Sequence, residues 1–136
     1  SLLPERFHSI PGAVFPLYHV LADVAEFRGG EVLASRSDRP LEVEGMVLRW
    51  HRRLRILLAN LGPDPQRVRL ESKSLGRRPR LRWIDETNAE DAMKDPARFR
   101  KHSGIPLEVA GEWIEISLRP FAVARIDCAD LGKGDG

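Results

Sequence analysis

The stretch LRILLANLGPDPQRVRL, residues 54–70, decides the fold class. Two runs in which apolar residues recur at every second position flank the segment GPDP at 62–65. A period of two is typical of β-strands, and Gly and Pro between two such runs indicate a reversal of the chain. The first run is also apolar at Leu57 and Ala59, which favours a central strand that is buried on both faces. The stretch therefore predicts a β-hairpin at the centre of a β-rich domain.

Further strands are predicted on both sides of this hairpin. In residues 41–50 the large apolar residues change phase at Gly45, which predicts a β-bulge that returns them all to one face of the sheet. With the other strand-forming segments this makes about seven or eight short antiparallel strands separated by turn residues, a pattern typical of a β-sandwich. Those other segments are residues 31–36, 80–85, 107–118 and 121–126.

A helix is predicted near the N-terminus. Residues 15–30, FPLYHVLADVAEFRGG, carry apolar residues at helical spacing, with Pro16 in the first turn and Gly29–Gly30 as a stop. We expect a small sheet alone not to cover this stripe, because it is broad. The stripe consists of Leu17, Val20, Leu21, Val24 and Phe27.

A short helical insert is predicted between two of the strands. Thr87 and Glu90 form a capping-box pattern for its first helix, and Asp95–Pro96 begins another helical turn. The acidic residues at 85–91 are explained by capping and by the helix dipole, which we favour over acid–base catalysis. The expected fold is therefore mainly β, an antiparallel β-sandwich with an N-terminal helix and a short helical insert.

The overall composition limits the class of protein. The 136 residues are the size of one domain with its own core. No apolar stretch is long enough to span a bilayer, so we expect no membrane partner. The single cysteine, Cys128, excludes an internal disulfide, and a cytoplasmic location is expected.

Catalytic and metal-binding motifs are missing from the sequence. The four histidines have no partner at metal-ligand spacing, and no Gly-rich phosphate loop is present. No motif of a serine or cysteine nucleophile occurs either. We therefore predict no catalytic residue, no metal ligand and no cofactor in this chain.

Positive charge is concentrated in residues 49–82. This segment has ten Arg and one Lys against two acidic residues, whereas the net charge of the whole chain is only +2. Four arginines alternate outward on two strands that could be neighbours, namely Arg67, Arg69, Arg80 and Arg82. Such a face would suit phosphates, but no aromatic residue interleaves with it, and glutamates offer ion-pair partners. We favour a solvated, partly paired face, with nucleic-acid binding as an alternative.

Trp113 is predicted to point outward. Ile114, Ile116 and Leu118 take the inward phase of its strand, which places Trp113 on the outward face. An exposed Trp can stack on a sugar ring or pack against a neighbouring domain. We favour packing, and a carbohydrate site at Trp113 and Glu115 is the alternative.

Four segments resemble the C-terminal parts of glycoside-hydrolase-like proteins. FPLYHVLADVAEF (15–27) resembles the last helix of a (β/α)8 barrel, and RLRILLANLGPDPQRVRL (53–70) resembles the hairpin of the β-sandwich that follows such barrels. WIDETNAEDAMKDPARFR (83–100) and IEISLRPFAVARID (114–127) are similar to the C-terminal end of D-apionate lactonase-like proteins. The resemblance extends over residues 13–127.

This resemblance implies a C-terminal accessory domain of a longer enzyme that acts on a sugar or a sugar lactone. In such enzymes the catalytic carboxylates belong to the barrel, so the resemblance transfers no active-site residue to this chain, which is expected to be non-catalytic by itself. The implied partner is the barrel of the same parent chain, or a second copy of this chain, lying against the helix at residues 17–27.

The chain is expected to divide into three segments. Residues 1–30 are expected to form an N-terminal segment and a helix that either ends a preceding barrel or packs against the sandwich. Residues 31–128 are expected to form the β-sandwich accessory domain. The polar, Gly-rich residues 129–136 are expected to form a flexible tail.

Overall fold

The computed structural model describes residues 16–129, so residues 1–15 and nearly all of the predicted tail lie outside the described part of the chain. The described residues form three helices and eight strands. The helices are α1 (Pro16–Ala25), α2 (Ala89–Lys94) and α3 (Pro96–Lys101). The strands are β1 (Glu31–Leu33), β2 (Val43–Trp50), β3 (Arg53–Asn60), β4 (Gln66–Glu71), β5 (Arg80–Ile84), β6 (Ile105–Pro106), β7 (Trp113–Leu118) and β8 (Val123–Ala129).

The strands form two antiparallel sheets. Six strands make the large sheet, in the order β1-β2-β3-β8-β5-β6, and β4 pairs with β7 in a small sheet. The prediction of a mainly β, antiparallel sandwich with an N-terminal helix and a helical insert is confirmed. The predicted central position of β3 is confirmed as well, since β3 pairs with β2 on one side and β8 on the other.

The predicted hairpin over residues 54–70 is wrong, because β3 and β4 belong to different sheets. The turn between them carries the chain from one layer to the other. Asn60, which is buried, fixes this turn: its side-chain amide donates to the carbonyl oxygens of Asp64 (2.7 Å) and Arg119 (3.0 Å). The hairpin partner of β3 is instead β2, through the turn at His51.

The main core lies between the two sheets. Alternate residues of β3, Leu54, Ile56 and Leu58, are buried on the side of the large sheet that faces the small sheet, here called the core side. From the small sheet, Ile114 and Ile116 pack into the same core. The other face of the large sheet is called the helix side, because α1 lies against it.

Both faces of the large sheet are therefore covered in its middle. On the helix side, Phe27, which follows α1, packs with Leu48 and Leu57. This explains the change of phase in β2: Val43 faces the core side, whereas Leu48 faces the helix side. The predicted bulge at Gly45 is wrong, since β2 pairs with β3 in one continuous register from Val43 to Trp50.

Of the two helix caps predicted for the helical insert, only the cap of α3 forms. The side chain of Asp95 accepts a hydrogen bond from the Arg98 backbone N–H (3.1 Å) and caps α3. The predicted capping box of α2 does not form. Asn88 precedes the helix and makes no side-chain cap, and the Thr87 backbone N–H donates to the side chain of the buried Asp85 instead (2.8 Å).

Candidate functional site

The four arginines predicted to form one face do not lie together. Arg67 and Arg69 project from β4 in the small sheet, whereas Arg80 and Arg82 belong to β5 in the large sheet. The prediction that Arg82 points into solvent is wrong, because Arg82 lies on the helix side and is buried there against Asp23. The structure thus contains no single face built from these four side chains.

A buried cluster of charges, here called the Asp23 hub, lies between α1 and the large sheet. Asp23 is only 2% exposed. Its carboxylate lies 2.6 Å from Arg82 Nη2, 2.7 Å from Arg100 Nη1 and 3.0 Å from Arg125 Nη1. Arg55 Nη1 is 3.8 Å away. Four guanidinium groups from four different elements thus surround one carboxylate.

Two further carboxylates complete the hub. Arg55 donates from Nη1 to Glu26 Oε1 (2.5 Å) and from Nε to Asp127 Oδ1 (2.7 Å). Arg100 Nη2 donates to Glu26 Oε2 (2.7 Å). Burial lowers the pKa of Arg82 to about 10, although the charge of Asp23 opposes this effect. The hub holds α1 and α3 against the large sheet through charge-assisted hydrogen bonds.

Sequence reasoning missed the hub because it assigned only the apolar residues of α1 to the covered face. The buried positions are His19, Asp23 and Phe27, spaced four residues apart, whereas Leu21 is 60% exposed. His19 Nε2 donates to the Ala92 carbonyl oxygen (2.8 Å), and burial lowers the pKa of the imidazole. The four-residue spacing of these three residues could have identified the buried face of the helix. It does so only if a histidine and an aspartate are accepted as buried residues.

The Glu26 carboxyl predicts a pH dependence of stability. Burial disfavours its charged form, but hydrogen bonds from Arg55 and Arg100 outweigh burial and lower its pKa from 4.5 to about 2. As the pH falls, the Glu26 carboxylate therefore binds a proton at a higher pH in the unfolded chain than in the folded one. Stability that is present above pH 4.5 is lost as the pH falls towards about 2. We expect urea unfolding to show this loss, and Glu26→Gln to make it shallower; equal pH slopes would contradict the assignment.

Trp113 and Glu115 lie on the outward face of the small sheet. Trp113 is half-buried, and the guanidinium carbon of Arg69 lies 4.0 Å from the centroid of its ring. Glu71 is the register partner of Trp113 on β4. Glu115 is further along the strand, with its Oε1 3.9 Å from Arg67 Nε.

An open groove of about 440 Å³ lies beside Trp113, between the end of β4 and the start of β7. A backbone hydrogen bond from Ser72 N–H to the Glu112 carbonyl (2.9 Å) joins the two segments at this point. The groove is lined by Arg69, Glu71, Ser72, Lys73, Glu112 and Trp113. Of the two residues predicted for a carbohydrate site, Trp113 lines this groove and Glu115 does not.

Exposed apolar side chains are unevenly distributed. Eight large ones are exposed among the described residues, and two of them, Tyr18 and Leu21, are on α1. Val32 and Met46 lie on the helix side of the large sheet, because their register partners Leu48 and Leu57 do. Three more lie in neighbouring loops at one end of the sandwich, and one lies elsewhere, on β6. The three are Leu41, Leu61 and Phe121, and the one on β6 is Ile105.

The three apolar side chains at this end come from separate loops that are joined by backbone hydrogen bonds. Leu61 N–H donates to the Glu42 carbonyl (2.9 Å), and Phe121 N–H donates to the Gly62 carbonyl (3.1 Å). Leu41 and Phe121 have left-handed backbone conformations, with φ of 73° and 58°. Such conformations are strained for large side chains and persist only where the surrounding structure enforces them.

Outside the Asp23 hub and the groove, we examine residues 16–129 for metal sites, membrane-spanning helices and a reactive cysteine. No group of three or more His, Cys, Asp or Glu side chains there is arranged to hold a metal ion. None of the helices in this part of the chain is long and apolar enough to cross a membrane. Burial raises the pKa of the Cys128 thiol to about 12, so this side chain is a buried, protonated thiol.

Its two packed antiparallel sheets define the chain as a β-sandwich domain. Residues 40–126 match the family described as D-apionate lactonase, C-terminal immunoglobulin-like domain. The match spans more than half of the chain, so this protein belongs to that family. The resemblance to D-apionate lactonase-like proteins is therefore confirmed.

A solved structure shares the fold. It is a GH30 endoxylanase from Clostridium papyrosolvens C71, with a TM-score of 0.63 and 11% sequence identity. The similar region covers 82% of this chain but only 27% of the endoxylanase chain. This chain therefore corresponds to about a quarter of that enzyme's length. None of the curated proteins matches the chain.

Proposed function

We propose that this chain is a non-catalytic C-terminal accessory domain of a sugar-active enzyme, a glycoside hydrolase or a sugar lactonase. In this proposal its helix side packs against a catalytic (β/α)8 barrel of the same parent polypeptide and stabilises it. The observation that carries the proposal is the distribution of exposed apolar side chains, since four of the eight lie on α1 or on the helix side and three more lie together at one end of the sandwich.

The two sides of the large sheet differ in how well they are covered. The core side is closed by the small sheet, whereas α1 covers only part of the helix side. Val32 is left 69% exposed and Met46 41% exposed. Large apolar side chains that are left exposed on one side of a soluble protein point to an interaction site. Two comparisons support a neighbouring domain as the partner that covers this surface. The family is named for a C-terminal domain, and the similar region is only a part of the endoxylanase.

The Asp23 hub fixes which face of α1 is presented to that neighbour. Because Asp23 is bonded to three arginines, α1 cannot rotate to bury Leu21 without breaking buried ion pairs. Leu21 and Tyr18 are therefore presented on a preorganised surface. Preorganisation reduces the loss of conformational entropy on binding, which favours a stable contact between domains.

The test compares Leu21→Glu in the parent protein and in this 136-residue chain. The complete reading frame is expected to encode a preceding barrel of about 250 residues. In the parent protein the substitution buries a charge at the interface, so we expect a clear fall in the thermal unfolding temperature. In the isolated chain Leu21 is exposed, and the change in unfolding free energy should stay within about 0.5 kcal/mol.

Ile105→Glu is the matched control, because Ile105 is an exposed apolar residue on β6, away from the helix side. It should affect the parent protein and the isolated chain alike. Two results would overturn the proposal: a reading frame without a barrel, or equal effects of Leu21→Glu in both proteins. A dimer of the isolated chain that Leu21→Glu dissociates in analytical ultracentrifugation would identify a second copy as the occupant instead.

A further inference from the structure

We propose that the groove beside Trp113 binds a neutral oligosaccharide. The groove lies on the outward face of the small sheet, and α1 lies on the far side of the large sheet. A partner on the helix side would therefore leave the groove open to solvent. The inference does not depend on the proposed docking of a barrel, because the two surfaces are on opposite sides of the sandwich.

The lining of the groove has the two components that sugar recognition needs. The indole of Trp113 offers apolar area to the C–H face of a sugar ring and an N–H to its hydroxyl groups. Around it, Arg69 and Lys73 supply hydrogen-bond donors, and Glu71 and Glu112 supply acceptors. Adjacent hydroxyl groups of a sugar both donate and accept, so they can bind to both kinds of side chain.

The charges of the lining favour a neutral ligand. Two cationic and two anionic side chains border the groove, so their formal charges cancel. Part of this charge is already paired, because Arg69 Nε lies 3.4 Å from Glu71 Oε2. Because the cations and anions balance, the lining offers a sugar acid no net attraction over an uncharged sugar, whose hydroxyl groups can use the donors and the acceptors alike.

Arg69 positions the indole. Its guanidinium stacks on one face of Trp113, and its side chain is about half exposed (54%). This cation–π contact holds the ring in place on the strand. Lys73 follows β4, is exposed, and forms no ion pair with another described residue, so its ammonium group is free to donate to a ligand.

The test is isothermal titration of the chain with xylohexaose and with cellohexaose. We expect saturable binding of at least one of them, and Trp113→Ala should weaken it about tenfold, the upper range for one aromatic contact. Lys73→Ala, an exposed change that leaves the Trp113 stack intact, should weaken binding without affecting the fold. Circular dichroism of each variant checks that the domain remains folded.

Arg67→Ala is the matched control for Arg69→Ala. Arg67 lies on the same face of the same strand but does not line the groove, so only Arg69→Ala should weaken binding. The absence of saturable binding to either oligosaccharide would overturn the inference. An equal loss of affinity in Arg67→Ala and Arg69→Ala would overturn it as well. Tighter binding of glucuronate than of glucose would refute the choice of a neutral ligand.

Discussion

Replacing Asp23 by asparagine is expected to lower the free energy of unfolding by about 3–5 kcal/mol, the range for removing one partner of a buried ion pair. The asparagine keeps the shape of the side chain, so no cavity forms and the effect reports on charge. Three guanidinium groups would lose their shared carboxylate while remaining buried around it. Chemical unfolding at neutral pH, followed by circular dichroism, measures the difference.

Asp38→Asn provides the reference for this experiment. Asp38 is an exposed aspartate between β1 and β2, and its substitution should change the unfolding free energy by no more than about 0.5 kcal/mol. If Asp23→Asn proved as mild as Asp38→Asn, the Asp23 hub would not be what holds α1 on the sheet. The apolar contacts of Phe27 would then have to provide that attachment.

Ile126→Ala is expected to destabilise the sandwich by about 2–5 kcal/mol, because it leaves a cavity in the main core. Ile126 is 0% exposed and lies in β8, where its register partners are Ile56 on one side and Leu81 on the other. Ile126→Val removes one methylene group and should destabilise by about 0.5–1.5 kcal/mol. The same unfolding measurement gives both values.

Val32→Ala serves as the comparison for Ile126, since Val32 is a β-branched residue that is largely exposed in the isolated chain. Its effect should be small. A mild effect of Ile126→Ala, or equal effects of the alanine and valine variants, would show that the two sheets are not packed as tightly as their buried residues indicate.

The strands were predictable because their signals are local. Alternating apolar residues and Gly- or Pro-containing turns act over a few residues, and they located β3, β4 and β7 correctly. Strand pairing is not local. Residues 54–70 indicate a hairpin, but the buried amide of Asn60 binds the carbonyl oxygen of Asp64 within the turn and that of Arg119 between β7 and β8, and the chain continues in the other sheet.

The failures on the helix side have one physical cause. Sequence patterns assign charged residues to the surface, so Arg82 was placed outside and Asp23 was not considered for the core, although each is the partner that makes burial of the other possible. The change of phase at Gly45 has the same origin, since it marks the point where β2 begins to contribute residues to the helix side. No pattern in β2 alone shows that a helix covers that side.

The candidate groove was only partly predictable. The alternation in β7 placed Trp113 on the outward face, but the pairing of β7 with β4, which brings Arg69 and Lys73 beside it, depends on residues about 40 positions apart in the sequence. Glu115 was chosen because it shares the outward face of β7 with Trp113. In the structure the neighbours that line the groove come from the opposite strand and from the ends of both strands.

The composition of the Asp23 hub bears on how such domains can be exchanged between proteins. All four guanidinium groups of the hub fall within residues 40–126, the span of the family match, whereas all three carboxylates fall outside it. A recombination event or a graft with those boundaries would move four buried cations without their counter-ions. The smallest unit that can be transferred intact therefore extends from α1 through Asp127. It must include the helix segment, because that segment supplies two of the three carboxylates that neutralise the buried arginines.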